Sequence, residues 1–162
     1  MATATVELKG DERAEWLALR RTGIGSSDAA AICGLDPYKS ALEVYLDKVG
    51  EAEERSSDAM HWGNRLEGVV ADHFEETTDW DVDIPEGMVR SEEFPFMCAN
   101  VDRWLSNGMG ETALLEIKTT GAHMAERWEH GPPDNVLVQV QHQLAVTGLS
   151  LAFVAVLVGG ND

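Results

Sequence analysis

The sequence predicts an α/β domain with a mixed central β-sheet flanked by helices. Three observations carry that expectation. Helix-forming stretches fill much of the chain up to about residue 76 and return after residue 121. Between them lie strand-like stretches joined by the turn formers Ser106-Asn107-Gly108-Met109-Gly110. Finally, Leu151-Ala152-Phe153-Val154-Ala155-Val156-Leu157-Val158 is an unbroken apolar run of strand length, the pattern of a strand covered on both faces. The order strand, strand, helix, helix, strand, preceded by helices, describes one domain over residues 1–162, with its core at about 11–160.

Taken in order, residues 1–10 carry little pattern and read as a frayed or strand-like lead-in. Asp11 to Arg21 is a helix with Asp11 as N-cap and Trp16, Leu17 and Leu19 apolar; Thr22-Gly23-Ile24-Gly25 stops it. Ser26-Ser27-Asp28 then leads into a short alanine-rich helix closed by Gly34. A glycine turn entering a helix offers backbone N–H groups to an anion, and it is equally the pattern of ordinary N-capping. Ser40 and Glu43 form a capping box; Leu42, Tyr45, Leu46 and Val49 mark the apolar face, and Gly50 the stop. Residues 51–58 form a charged connector. The helix from about Met60 to Glu76 carries Trp62, Leu66, Val69, Val70 and Phe74 on one side. Glu67 aligns there with Gly63, Val70 and Phe74, at or near the buried stripe, where an ionised carboxylate needs a cation or hydrogen-bond donors unless it bends out to solvent.

Strands follow around Trp80–Ile84 and Met88–Arg90, with Pro85-Glu86-Gly87 turning the chain, and another over Phe96–Asp102. A helix near Ala122–His130 ends at Gly131-Pro132-Pro133. The next, capped by Asp134 or Asn135, runs to about Thr147 with Leu137, Val140 and Leu144 inward, and Gln139, Gln143 and His142 on a neighbouring face.

Composition narrows the function. At 162 residues the chain can bury a real core and has room for one site. No run of roughly 18 apolar residues and no signal-peptide pattern appear, so a soluble, cytoplasmic protein with no membrane partner is expected. Cys33 and Cys98 are too few for a disulfide framework or for the four ligands of an iron–sulfur cluster. A formal charge of −17, from 29 acidic against 12 basic residues, argues against a polyanionic partner except where clustered bases make a local positive groove.

The chemistry concentrates in Asp102 to Lys118. In Leu114-Leu115-Glu116-Ile117-Lys118, period-two alternation sends Leu115 and Ile117 inward and places Glu116 and Lys118 on the other face. Folding back about the Ser106–Gly110 turn sets Asp102 roughly opposite Glu116, near enough for both carboxylates to hold one divalent cation. Two hard oxygen ligands suit Mg²⁺ or Mn²⁺, and the adjacent Lys118 can position a water or steady charge on a phosphate. An exposed Glu/Lys strand face has the same pattern.

Five stretches in order resemble a known family: Arg20-Arg21-Thr22-Gly23-Ile24-Gly25-Ser26-Ser27-Asp28-Ala29, Trp62-Gly63-Asn64-Arg65-Leu66-Glu67, Asn100-Val101-Asp102, Leu115-Glu116-Ile117-Lys118-Thr119 and Val138-Gln139-Val140-Gln141-His142. Over about residues 13–160 the chain resembles the YqaJ-like viral recombinases, relatives of phage lambda exonuclease within the PD-(D/E)xK nuclease superfamily. The resemblance implies that superfamily's restriction-endonuclease-like core and a Mg²⁺-dependent 5′-to-3′ exonuclease of phage recombination. Such an enzyme takes two metal ions, Mn²⁺ substituting, and acts on double-stranded DNA ends to expose a 3′ single strand. It further implies a single-strand annealing partner, a homo-trimer and location in the cytoplasm of a phage or prophage host. Carried over by motif, Asp102, Glu116 and Lys118 are catalytic, and Glu67, Asp102, Glu116 and the Ile117 carbonyl bind metal. Arg20, Ser27 and Gln139 hold the substrate, the first two at the 5′-phosphate. An endonuclease or nickase of the same fold, or a non-catalytic DNA-binding or assembly module, fits the same residues. The chain departs from the family where Arg103 replaces the usual glycine and at Val136 and Gln143; relatives continue with another helix past the last strand, where this sequence stops at Gly159-Gly160-Asn161-Asp162, so either a minimal fold or a missing piece is expected.

Overall fold

The computed structural model describes residues 4–7, 12–52 and 57–159, with side chains from residue 15 onward. The Asp11 cap and part of the 51–58 connector lie outside the described residues. Thirteen elements follow in order: β1 (Ala4–Glu7), α1 (Glu12–Arg21), α2 (Ser26–Ile32), α3 (Ala41–Val49), α4 (Asp58–Thr77), β2 (Asp81–Asp83), β3 (Gly87–Arg90), β4 (Cys98–Ala99), β5 (Arg103–Ser106), β6 (Thr112–Thr120), a 3₁₀ helix (Ala122–Trp128), α5 (Asp134–Thr147) and β7 (Ala152–Val158). They group into two compact units. One comprises Met1–Glu54, Glu86–Val101 and Asp134–Gly148; the other comprises Arg55–Pro85, Asp102–Pro133 and Leu149–Asp162.

In the first unit an antiparallel sheet has the order β1-β3-β4, with Thr5 opposite Val89 and Val89 opposite Ala99. Helix α5 packs on β3, β4 and α2. Ala30 and Ala31, both buried, give α2 a face small enough for close approach. The chain between α1 and α2 is tied to the strand region by a parallel bridge, in which Ile24 N–H donates to the Phe96 carbonyl at 2.6 Å and Cys98 N–H donates to Ile24 at 2.9 Å. This passage needs glycine at 23, because a Cβ there would stand 2.7 Å from the Phe96 oxygen. Ser26, Ser27 and Asp28 form the first turn of α2 and do not precede it; Asp28 reaches back to accept from Gly25 N–H at 3.0 Å.

Helix α3 has the predicted capping box, and Gly50 closes it at φ 81°. Its buried face differs from the expected one. Leu42, Tyr45 and Val49 are exposed and Val44 is buried. The helix is rotated by what it packs against: Lys48, on the Val44 side, forms an ion pair with the fully buried Asp28. In α5 the inward residues are likewise Val136, Val140, Gln143 and Val146, while Leu137 is exposed.

The second unit is built on a four-stranded sheet, β2-β5-β6-β7, in which β6 and β7 are parallel and the other pairs antiparallel. Helix α4 packs across it. Ala71, Leu105, Ala113, Leu115 and Ile117 form the core, joined by Val70, Phe74, Trp80, Val82, Phe153 and Ala155. The Phe153 ring meets those of Phe74 and Trp80 edge-on at 5.6 and 5.3 Å. Trp62 and Val69, expected on the packed side of α4, are exposed, and Ala71 takes that role. Strand β7 is one edge of the sheet and half-buried, where two covered faces were expected. The mixed sheet and flanking helices match the predicted fold class.

Candidate functional site

The expected stretch Phe96–Asp102 is not one strand. Cys98 and Ala99 pair with β3 in the first unit, and the strand facing β6 begins at Arg103. The predicted opposition of Asp102 and Glu116 nevertheless holds. Arg103 pairs with Leu115, so continuing the antiparallel register by one step sets Asp102 against Glu116. The turn is made where glycine and asparagine predict it. Asn107 Oδ1 accepts from the Met109 and Glu111 N–H groups, both at 3.0 Å, and Gly110 adopts φ 80°.

Alternation along β6 also behaves as expected: Leu115 and Ile117 enter the core cluster, and Lys118 Nζ meets Glu116 Oε1 at 2.6 Å. Glu116 is almost wholly buried, so this ammonium matters more than one in open solvent. Asp102 Oδ2 accepts from Ile117 N–H at 2.7 Å, which orients its carboxylate across the hairpin. Burial foremost, then repulsion from Glu116 and Glu67, pushes the Asp102 carboxyl up to about 7, against the pull of the Ile117 hydrogen bond and Lys118.

Glu67 arrives from α4. Gly63, four residues earlier on the same face, lets the helix approach β6, its notional Cβ standing 3.4 Å from Thr119 Oγ1. The half-buried stripe position predicted for Glu67 is observed, and its partner is Arg103, whose Nη1 lies 2.5 Å from Glu67 Oε1 and also donates to the Asp102 carbonyl. Arg103 carries no backbone strain, since no described residue other than glycine has positive φ. This pairing was not legible in the sequence; a guanidinium 36 positions from its carboxylate gives no local sign of it.

Glu67, Asp102, Glu116, Ile117 and Lys118 thus fall within one compact unit. Three carboxylates near one another, two of them answered by a lysine and an arginine, form an oxygen-rich, negatively biased donor set suited to a hard divalent cation. Among the described residues, no three acidic, histidine or cysteine side chains are already arranged around a common metal position.

The other predicted residues belong to the first unit. Arg20 Nη2 lies 3.5 Å from Ser27 Oγ and 3.6 Å from Asp28 Oδ1, and its guanidinium sits over the Trp16 ring at 5.2 Å. The motif pair Arg20 and Ser27 is therefore assembled. Asp28 also binds Lys48 at 2.6 Å and Lys39 at 3.0 Å. Burial would raise its carboxyl, yet these two ammonium groups hold it at about 2. Three of the 12 basic residues gather here around Asp28, with Asp47 also 3.6 Å from Lys39, a mixed-charge cluster with one base in excess. Gln139 is half-buried on α5. Its neighbour Gln143 is fully buried and donates to the Asn100 carbonyl at 3.2 Å, and His142 Nε2 lies 3.1 Å from the Cys98 carbonyl. Burial lowers the His142 pKa.

The fold and these motifs place the chain in the YqaJ-like viral recombinase domain family, whose model matches residues 15–150; the chain belongs to that family. Protein YqaJ of Bacillus subtilis (strain 168) is 44% identical over 154 residues, covering 92% of this chain. The chain spans only 47% of that relative's length. Among solved structures, LHK-Exo in complex with dAMP is similar with TM-score 0.69 and 22% identity, over 88% of this chain and 73% of that one. A second structure of LHK-Exo, an alkaline exonuclease from Laribacter hongkongensis, gives TM-score 0.67 and 21% identity, over 90% and 74%. At that identity the likeness establishes a shared fold. No described helix is long and apolar enough to cross a membrane.

Proposed function

We propose that this chain is a metal-dependent DNA exonuclease of phage-type recombination that resects duplex ends 5′ to 3′. The observation that carries the reading is the β5–β6 hairpin, which sets Asp102 beside Glu116 with Lys118 at 2.6 Å from the latter, in the part of the chain matched by the family model. Residues 1–162 act in this reading as one nuclease domain. Asp102, Glu116 and the Ile117 carbonyl hold Mg²⁺, with Mn²⁺ as substitute, and Glu67 serves as a further carboxylate where a second ion binds. The bound cation supplies an activated water and offsets charge on the phosphate.

The remaining work belongs to the chain's own groups. Lys118 donates to the attacking water and orients it, and Glu116 keeps that ammonium in place. Arg20 presents a guanidinium fork, and Ser27 a hydroxyl, to a terminal 5′-phosphate; Asp28 and Trp16 fix the direction of the fork. Gln139 contributes a polar contact to the strand. Holding the terminal phosphate favours digestion from an end over cutting within a closed circle. An annealing partner for the 3′ strand and a homo-trimer belong to the same proposal.

The test is digestion of linear duplex with and without 5′-phosphate, in Mg²⁺ and in EDTA. Mg²⁺-dependent loss of the 5′ strand, faster with the phosphate and abolished by Glu116→Gln or Lys118→Ala, is expected. A folded protein that digests neither substrate would overturn the enzyme reading. The Glu67–Arg103 and Glu116–Lys118 pairs favour one alternative, a DNA-binding module whose acidic groups are neutralised internally. Binding of duplex ends without cleavage, unaffected by Glu116→Gln, would select it; nicking of closed circles would select an endonuclease.

A further inference from the structure

The feature left over from this account is Arg103. Its side chain is only 12% exposed, it holds Glu67 at 2.5 Å, and it donates to the main-chain carbonyl of Asp102. It therefore occupies one carboxylate of the acidic set while bonding the backbone of another. With all three carboxylates ionised, Glu67, Asp102 and Glu116 carry three negatives, and Lys118 and Arg103 two positives. A divalent cation entering this set meets a net charge of −1, whereas without Arg103 it would meet −2. Moreover, Glu67 Oε1 already accepts a charge-assisted hydrogen bond from the guanidinium, which weakens that oxygen as a metal ligand.

We infer that Arg103 is an internal counter-ion that holds Glu67 in the metal-free protein and is exchanged for a divalent cation when the site loads. The inference rests on the proposed metal site. Arg103 and the cation compete for Glu67, so Arg103 lowers metal affinity and makes Glu67 the last ligand recruited. The competition is electrostatic, since guanidinium and cation draw on the charge of the same carboxylate. Once displaced, the arginine has a chain long enough to leave the carboxylates and a fork suited to phosphate oxygens. Its location at the first residue of β5 involves no unusual backbone.

Calorimetric titration of the full chain with Mn²⁺, in the absence of DNA, reads the competition without reference to activity. Wild type, Arg103→Gln, Arg103→Lys and Asp102→Asn are compared, together with Glu67→Gln alone and combined with Arg103→Gln. Arg103→Gln is expected to bind Mn²⁺ roughly tenfold more tightly than wild type, which corresponds to about 1.4 kcal/mol. Arg103→Lys, which keeps the charge and loses the fork, should tighten binding less, and supplies the result should the glutamine variant fail to fold. Glu67→Gln should erase the gain in the double variant, since the competition is over that carboxylate. Variants at Arg103 that bind Mn²⁺ no more tightly than wild type would overturn the inference while leaving the metal site intact. Binding that Asp102→Asn does not weaken, or no binding by any variant, would instead remove the metal-site reading and the inference with it.

Discussion

Replacing Asp28 tests how the first unit holds the bases gathered around it. The Asp28 side chain has no solvent exposure and pairs with Lys48 at 2.6 Å and Lys39 at 3.0 Å while capping Gly25 N–H. Removing one partner of a buried pair typically costs about 3–5 kcal/mol, because the remaining charges lose their compensation. Lys39 is 27% exposed and Lys48 13%, so both can partly rehydrate, which places Asp28→Ala at the lower end, about 3 kcal/mol. For a chain of this size that corresponds to a fall in Tm of roughly 6–12 °C.

The pH dependence follows from the depressed carboxyl. Folded Asp28 keeps its charge down to about pH 2, whereas its ordinary value is 3.8. Its stabilisation is therefore complete above pH 3.8 and is lost as the pH falls through that window towards 2. Thermal melts of wild type and Asp28→Asn at pH 7 and through the acid range supply the assay. Wild type should lose its advantage over the variant as the solution is acidified. A difference of less than about 1 kcal/mol at neutral pH, or one that does not shrink in acid, would refute the argument that buried ion pairing organises this cluster.

Three further outcomes are expected. Asp102, pushed up to about 7 chiefly by burial, retains its proton where an unfolded aspartate has lost it; its contribution is full below pH 3.8 and is lost as pH rises through about 7, so the metal-free protein should melt lower at pH 8 than at pH 5.5, and Asp102→Asn should flatten that slope. Gly23→Ala should destabilise by about 1–3 kcal/mol in urea unfolding, because its Cβ would meet the Phe96 carbonyl at 2.7 Å and that oxygen already accepts from Ile24 N–H. Arg20→Ala should slow digestion of 5′-phosphorylated ends about tenfold or more and leave unphosphorylated ends nearly unchanged, as expected for a lost charge-assisted hydrogen bond to the terminal phosphate.

The sequence by itself determined what depends on neighbours along the chain. Alternation in β6, the Asn107–Gly110 turn, the Ser40–Glu43 capping box and the stop at Gly50 are local matters of backbone period and hydrogen bonding, so Asp102, Glu116 and Lys118 could be brought together on paper. Tertiary structure decided which face of each helix is buried and which strand each segment joins. Helix α3 shows Leu42 and Tyr45 to solvent because Lys48 is drawn to Asp28, and Cys98-Ala99 leaves the predicted hairpin to pair with β3. Arg103 meeting Glu67 belongs to the same class. Long-range ion pairs and sheet partners are chosen by what burial leaves within reach, a property of the assembled chain that no local period encodes.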